Sequence, residues 1–133
     1  MRHWLLAFAA VISICGMPAG AHHSLSDYDS TRQTTVEGVV AQFQFVNPHP
    51  FVVMDVRDSS GTLQSWRLEM DNRYELAEIG VTKDTLREGD RIVVRGSPGR
   101  QPRTLYIRRL DRPSDGFGYE QVGTSPRIRT RSR

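Results

Sequence analysis

From Thr34 onward the chain alternates apolar and polar positions with the period of a β-strand. Val39, Ala41, Phe43 and Phe45 stand in alternation with Val40, Gln42 and Gln44, which predicts a strand with one buried face. Asn47-Pro48-His49-Pro50 interrupts it, because proline has no amide hydrogen for a central ladder and drives its predecessor into extended backbone. Phe51–Arg57 resumes as a second strand, Asp58–Gly61 has turn composition, and Thr62–Met70 is the third strand, with Trp66 and Leu68 on one face and Arg67 and Glu69 on the other. A short helix is expected next, capped by Asp71, with Leu76 and Ile79 on one face and Gly80 at its end. Thr82–Leu86 adds a turn, and Arg87–Asp90 turns tightly into a strand over Arg91–Gly96 that points Ile92 and Val94 inward. Ser97–Arg103 reads as a loop, and Thr104–Leu110 as the last strand, with Leu105, Ile107 and Arg109 sharing a face. Strand, strand, strand, helix, strand, strand is the connectivity of the OB-type barrel. The expected fold is therefore mainly β: a small five-stranded OB-like barrel over residues 34–111, with one short helix between strands 3 and 4. Closure hides the edges that an open sandwich or roll would leave exposed. Trp66, Phe43, Phe45 and Phe51 fit the core by alternation.

The apolar language stops after Asp111. Residues 112–133 hold Pro113, Gly116, Gly118, Gly123 and Pro126, few aliphatics, and arginine at alternate positions at the end, and are expected to form a disordered basic tail. Such a tail could also add as an edge strand, contact anionic headgroups or touch nucleic acid. Its five arginines against Asp115 and Glu120 balance to +3, which equals the net charge of the whole chain. Residues 22–111 carry 12 basic and 13 acidic side chains, so the expected domain is near neutral and carries no nucleic-acid footprint.

At the other end, Met1-Arg2-His3 precedes the apolar run Trp4–Ile14 and the small residues Ala19 and Ala21. That is the pattern of a signal peptide over residues 1–21, too short for a span of ~30 Å, and it places the mature chain in the periplasm or outside the cell. Residues 22–33 follow as an extended N-terminal segment. Membrane contact is then expected only through the signal or the basic tail. Cleavage after Ala21 removes Cys15, the only cysteine, and with it any disulfide or thiolate site.

Candidate chemistry lies with the remaining histidines, His22, His23 and His49. A chain beginning at His22 offers its amine and imidazole as a chelate, and one beginning at Ala21 has a histidine at the third position; both suit copper, with zinc and nickel behind. His49, held between Pro48 and Pro50, is presented from a stiff loop that borders the usual OB binding face. Asp27 and Asp29 could add oxygen ligands or serve solubility alone. In the competing reading the terminal histidines are incidental polar residues, His49 bonds a nearby carbonyl, and the domain grips an envelope protein instead. The nucleophile-elbow, phosphate-loop and zinc-protease motifs are all missing, so an enzyme is not expected.

Ala21-His22-His23-Ser24, Val36-Glu37-Gly38-Val39-Val40, Asn47-Pro48-His49, Trp66-Arg67-Leu68-Glu69, Gly80-Val81-Thr82 and the run from Leu86 to Gly96 together resemble the short secreted bacterial proteins grouped as domain of unknown function 6152. The resemblance spans about residues 21–110. It implies a periplasmic protein with a small β-barrel-like domain and carries no activity with it.

Overall fold

The computed structural model describes residues 25–129; the expected signal segment, His22, His23 and residues 130–133 lie outside them. A single 3-10 turn, Leu25–Asp27, leads into β1 (Thr34–Gln44), β2 (Phe51–Arg57), β3 (Leu63–Glu69), α1 (Arg73–Glu78), β4 (Arg91–Pro98) and β5 (Thr104–Arg112). β1 pairs antiparallel with both β2 and β4, β2 with β3, and β4 with β5. A parallel pairing of β3 with β5, Arg67 to Thr104 through Glu69 to Tyr106, closes the barrel. The OB-type barrel is the fold of the chain. Val40, Val52, Met54, Leu68, Ile92, Val94, Leu105, Ile107 and Leu110 fill its interior, and Leu76 of α1 plugs one end.

The inward face of β1 differs from simple alternation. Val36 and Val40 are buried while Val39 is 41% exposed. The pairing with β2 steps from Val40–Met54 to Gln42–Val53, so Ala41 is an extra residue in a β-bulge. A bulge shifts the side-chain phase by one, and Phe43 and Phe45 beyond it do pack on the core. A second shift on β5, between the pairs Arg95–Arg109 and Gly96–Ile107, makes Arg108 the extra residue. It turns Arg109 outward and Leu110 inward, against the expected shared face of Leu105, Ile107 and Arg109.

Two local expectations are corrected. Helix α1 is capped by Asn72, whose side chain accepts from Glu75 N at 2.9 Å, and not by Asp71. Asp71 instead accepts from Gln121 Nε2 at 2.6 Å and from Asn72 N at 2.7 Å, and so ties the helix entry to a distant strand. Phe51 is not a core residue: Val52 and Met54 take the inner face of β2, and Phe51 lies outside beneath the Arg67 guanidinium.

The larger correction concerns the tail. Residues 117–129 are a hairpin, β6 (Phe117–Val122) and β7 (Ser125–Arg129), that extends the sheet beyond β5. Pairing of β6 with the C-terminal half of β5 supplies the backbone hydrogen bonds. Tyr119 is fully buried and donates to Gln121 Oε1 at 2.7 Å. Arginines that read as solvated are paired: Arg127 with Glu120 at 2.9 Å and Arg129 with Asp111 across strands, and Arg112 with Asp90 at 2.7 Å and Asp115 at 2.8 Å in the turns at either side.

These pairs make the hairpin acid-sensitive. Partial burial raises Asp111, but Arg109 and Arg129 outweigh it and hold the carboxyl below the ordinary aspartate range. Hydrogen bonds from Arg112 lower Asp115, and those from Arg127 lower Glu120. Depressed folded-state values mean stability that is complete above the unfolded values near pH ~4 and is lost as pH falls through the folded ones. Amide exchange followed as the pH is lowered from about 5 through the acid range should show residues 117–129 losing protection before the barrel strands; uniform loss would refute the local coupling.

Candidate functional site

The loop between β1 and β2 carries His49 to one end of the barrel, where β3 gives way to α1. Arg73 N donates to Pro48 O and Met70 N to Pro50 O, both at 2.9 Å, so the loop is tied on both sides of His49; the Asn47–Pro48 bond is cis. His49 Nδ1 lies 3.1 Å from Met70 O. A carbonyl can only accept, so Nδ1 bears the hydrogen and Nε2 is the ring atom left for a ligand, the arrangement usual for a metal-ligating imidazole. Glu69 Oε1 stands 3.9 Å from Nδ1. Its other oxygen accepts from the Tyr28 hydroxyl at 2.8 Å. Burial first, then the bond to Glu69, raises the Tyr28 hydroxyl and keeps it protonated.

Tyr28 is the anchor of the N-terminal segment. It bridges to Gly99, its ring packs on Tyr106 with centroids 5.7 Å apart, and Asp29 N donates to Pro98 O at 2.9 Å. The segment therefore runs along the β4–β5 loop and covers Tyr106, which is only 3% exposed although it points out of the barrel. Of the sequence-predicted site residues, His49 is the one described, on the β1–β2 loop, and His22 and His23 lie outside the described residues. Asp29 Oδ1 is taken by Thr31 N and Oγ1, whereas Asp27 lines a surface depression together with Arg67 and Arg100. Among the described residues no group of three or more His, Cys, Asp or Glu side chains is arranged to hold a metal ion.

Sequence reasoning missed Tyr28 and Glu69. Glu69 alternates as an outward strand residue, and its bond to Tyr28 spans 41 positions, so neither residue signals the contact by local pattern. The outer face of β2 and β3 beside this cluster carries Phe51, Arg67 and Glu69, with the β1–β2 and β4–β5 loops at its rims. That is the surface on which OB folds bind extended ligands.

The model of a family described only as of unknown function, DUF6152, matches residues 10–107. The chain belongs to this family. No curated protein matches the sequence. Among solved structures, a complex of TiaS with its tRNA and ATP is similar at 17% identity and a TM-score of 0.46, over 63% of this chain and 18% of that one. The N-terminal domain of PriB from Thermoanaerobacter tencongensis is similar at 18% identity and a TM-score of 0.42, over 61% of this chain and 94% of that one. This DUF6152 chain thus spans about a fifth of the TiaS chain. The β6–β7 hairpin lies C-terminal to the family match.

Proposed function

We propose that this DUF6152 chain is an exported periplasmic binding module that holds a transition metal, copper in the first place, through its processed terminus, His22, His23 and His49. The observation that carries the reading is the link from the Tyr28 hydroxyl through Glu69 to His49. It brings the N-terminal segment alongside the loop that bears His49, where the two could have stood at opposite ends of the barrel. Four residues lie between His23 and Tyr28, three of them in the 3-10 turn Leu25–Asp27, so at most about 13 Å of chain carries the terminal imidazoles from the Tyr28 anchor toward His49 Nε2. The terminal amine, two imidazoles and Nε2 form a nitrogen-rich set that suits Cu(II) best among the common divalent ions. His49 supplies a ring already oriented by Met70 O, with Glu69 beside the same nitrogen to stabilise positive charge.

Protein purified from the periplasm of an expression host should have an intact mass that begins at residue 21 or 22, and should bind one Cu(II) in a calorimetric titration. His49→Ala should weaken binding at least about tenfold, since loss of even an outer-shell partner costs roughly 10–100-fold at such sites. Metal binding releases protons from imidazoles and amine, so affinity should fall on acidification. Equal affinity of both proteins would remove His49 from the site, and an uncleaved terminus would remove the chelate.

A second reading, an envelope-protein partner with no metal, is favoured by a different surface. Val39 and Leu63 are exposed and line one shallow depression of about 390 Å³, rimmed by Glu37, Asp55, Arg57 and Arg91. An apolar centre with a charged rim is the anatomy of a protein interface. Stoichiometric capture of one periplasmic protein by the wild type, unaffected by chelator and lost in Leu63→Asp, would favour this reading over copper.

A further inference from the structure

The loop from Gly99 to Arg103 is pinned to its surroundings. Gly99 N donates to Thr104 O at 2.9 Å, Arg100 N to Asp27 O at 3.0 Å, and Arg67 N to Arg103 O at 2.9 Å. Arg103 has φ +57°, a left-handed conformation rare for a side-chain-bearing residue and often found where function constrains the backbone. Between this loop, the N-terminal segment and β3 lies a trough of two adjoining depressions of about 460 and 340 Å³ that share Tyr28 and Arg100. Arg67 lines the first and Arg32 the second.

Arg91, Arg109, Arg112, Arg127 and Arg129 each sit on a carboxylate. Arg32, Arg67 and Arg100 reach none within 4 Å among the described residues. Arg67 is nevertheless held, with its guanidinium carbon 3.4 Å from the centre of the Phe51 ring, so little freedom is left to lose when its donors meet a ligand. Asp27 is the counterpart: it lines the same depression, and its carboxylate accepts no hydrogen bond among the described residues. Guanidinium donors beside one open carboxylate and the wall of Tyr28 match a ligand that carries an oxyanion and hydroxyl groups on an otherwise non-polar frame.

We propose that this trough binds a small anionic sugar, its oxyanion bridged by Arg67 and Arg100 and a hydroxyl donated to Asp27. The site shares Tyr28 with the copper reading but uses none of its histidines and stands without it. A uronate carboxylate and a sugar phosphate share the required chemistry, because the guanidinium fork takes either oxyanion. The full processed protein is titrated at low ionic strength with galacturonate, glucose 6-phosphate, glucose and inorganic phosphate, and backbone amide shifts are followed by NMR. At least one of the two anionic sugars should shift residues 99–104 saturably, and glucose should not. Arg67→Gln and Arg100→Gln should each weaken the binding about tenfold, the usual worth of one charge-assisted hydrogen bond, while Arg95→Gln on β4 leaves it unchanged. Asp27→Asn should tighten inorganic phosphate, by removing a repelling charge, and weaken the sugar ligand, by removing a hydroxyl acceptor. Galacturonate alone shifting the loop assigns a carboxylate ligand, and glucose 6-phosphate alone a phosphate. Binding that survives both arginine substitutions, a sugar ligand tightened by Asp27→Asn as phosphate is, or no saturable shift at all would overturn the proposal.

Discussion

Replacing Tyr119 with alanine should cost about 3–5 kcal/mol of stability, the usual range for deleting a fully buried aromatic ring. Among the described residues Tyr119 is the largest side chain wholly removed from solvent, and it belongs to the same apolar cluster as Leu110 and Val94. Its loss leaves a void against those residues and frees Gln121 Oε1, which it holds at 2.7 Å. Gln121 in turn donates to Asp71, so the damage reaches the entry to α1. Tyr119→Phe separates the two contributions: it keeps the ring and removes one hydrogen bond, and should cost only about 1 kcal/mol. Ending the chain at Arg112 should destabilise it at least as much as Tyr119→Ala, because the cross-strand ion pairs and the β5–β6 ladder go as well. Urea unfolding of the four proteins, monitored by circular dichroism, decides the matter. A truncated chain with the wild-type midpoint would mean that residues 117–129 contribute nothing, as a disordered tail would.

The hairpin shows why part of the fold was hidden in the sequence. Gly116 and Gly123 count toward disorder by composition, yet both adopt positive φ in turns, at 75° and 60°, that flank and join β6 and β7. One buried tyrosine and a set of arginine–carboxylate pairs replace the aliphatic alternation that marks the other strands. Charge pairing between strands leaves no periodic apolar signal, because each residue alone looks solvated. Within residues 34–111 the order of strands and helix was legible, since each element carries an apolar face of its own. The same holds for the site. His49 stands out between two prolines, whereas Tyr28 and Glu69 meet only through folding. Arg67 and Arg100 are far apart in sequence and converge because β3 runs parallel to β5 at the barrel seam.

Gly38→Ala should be nearly as damaging as the loss of Tyr119, although it adds a single methyl group. A Cβ at this position would lie 2.2 Å from the Asp55 carbonyl oxygen and 3.1 Å from Met54 Cγ. The first neighbour is backbone of the paired strand, so relief requires β1 to part from β2 near the Val39–Asp55 pair. That close approach is the coiling by which one 11-residue strand serves both β2 and β4. Overpacking of this kind costs about 1–3 kcal/mol and more where backbone must move, which in a domain of this size lowers the melting temperature by about 10 °C or more. Its neighbours test the phase of the same strand. Val40→Ala removes methyl groups from a fully buried position and should lower the melting temperature clearly, whereas Val39→Ala trims an exposed one and should change it little. Simple alternation of the sequence puts Val39 inside and Val40 outside, and so demands the reverse order. Thermal melts of the three variants would therefore fix the phase of β1 ahead of the bulge: equal tolerance of Gly38→Ala and Val39→Ala would show that β1 does not coil against β2 as described.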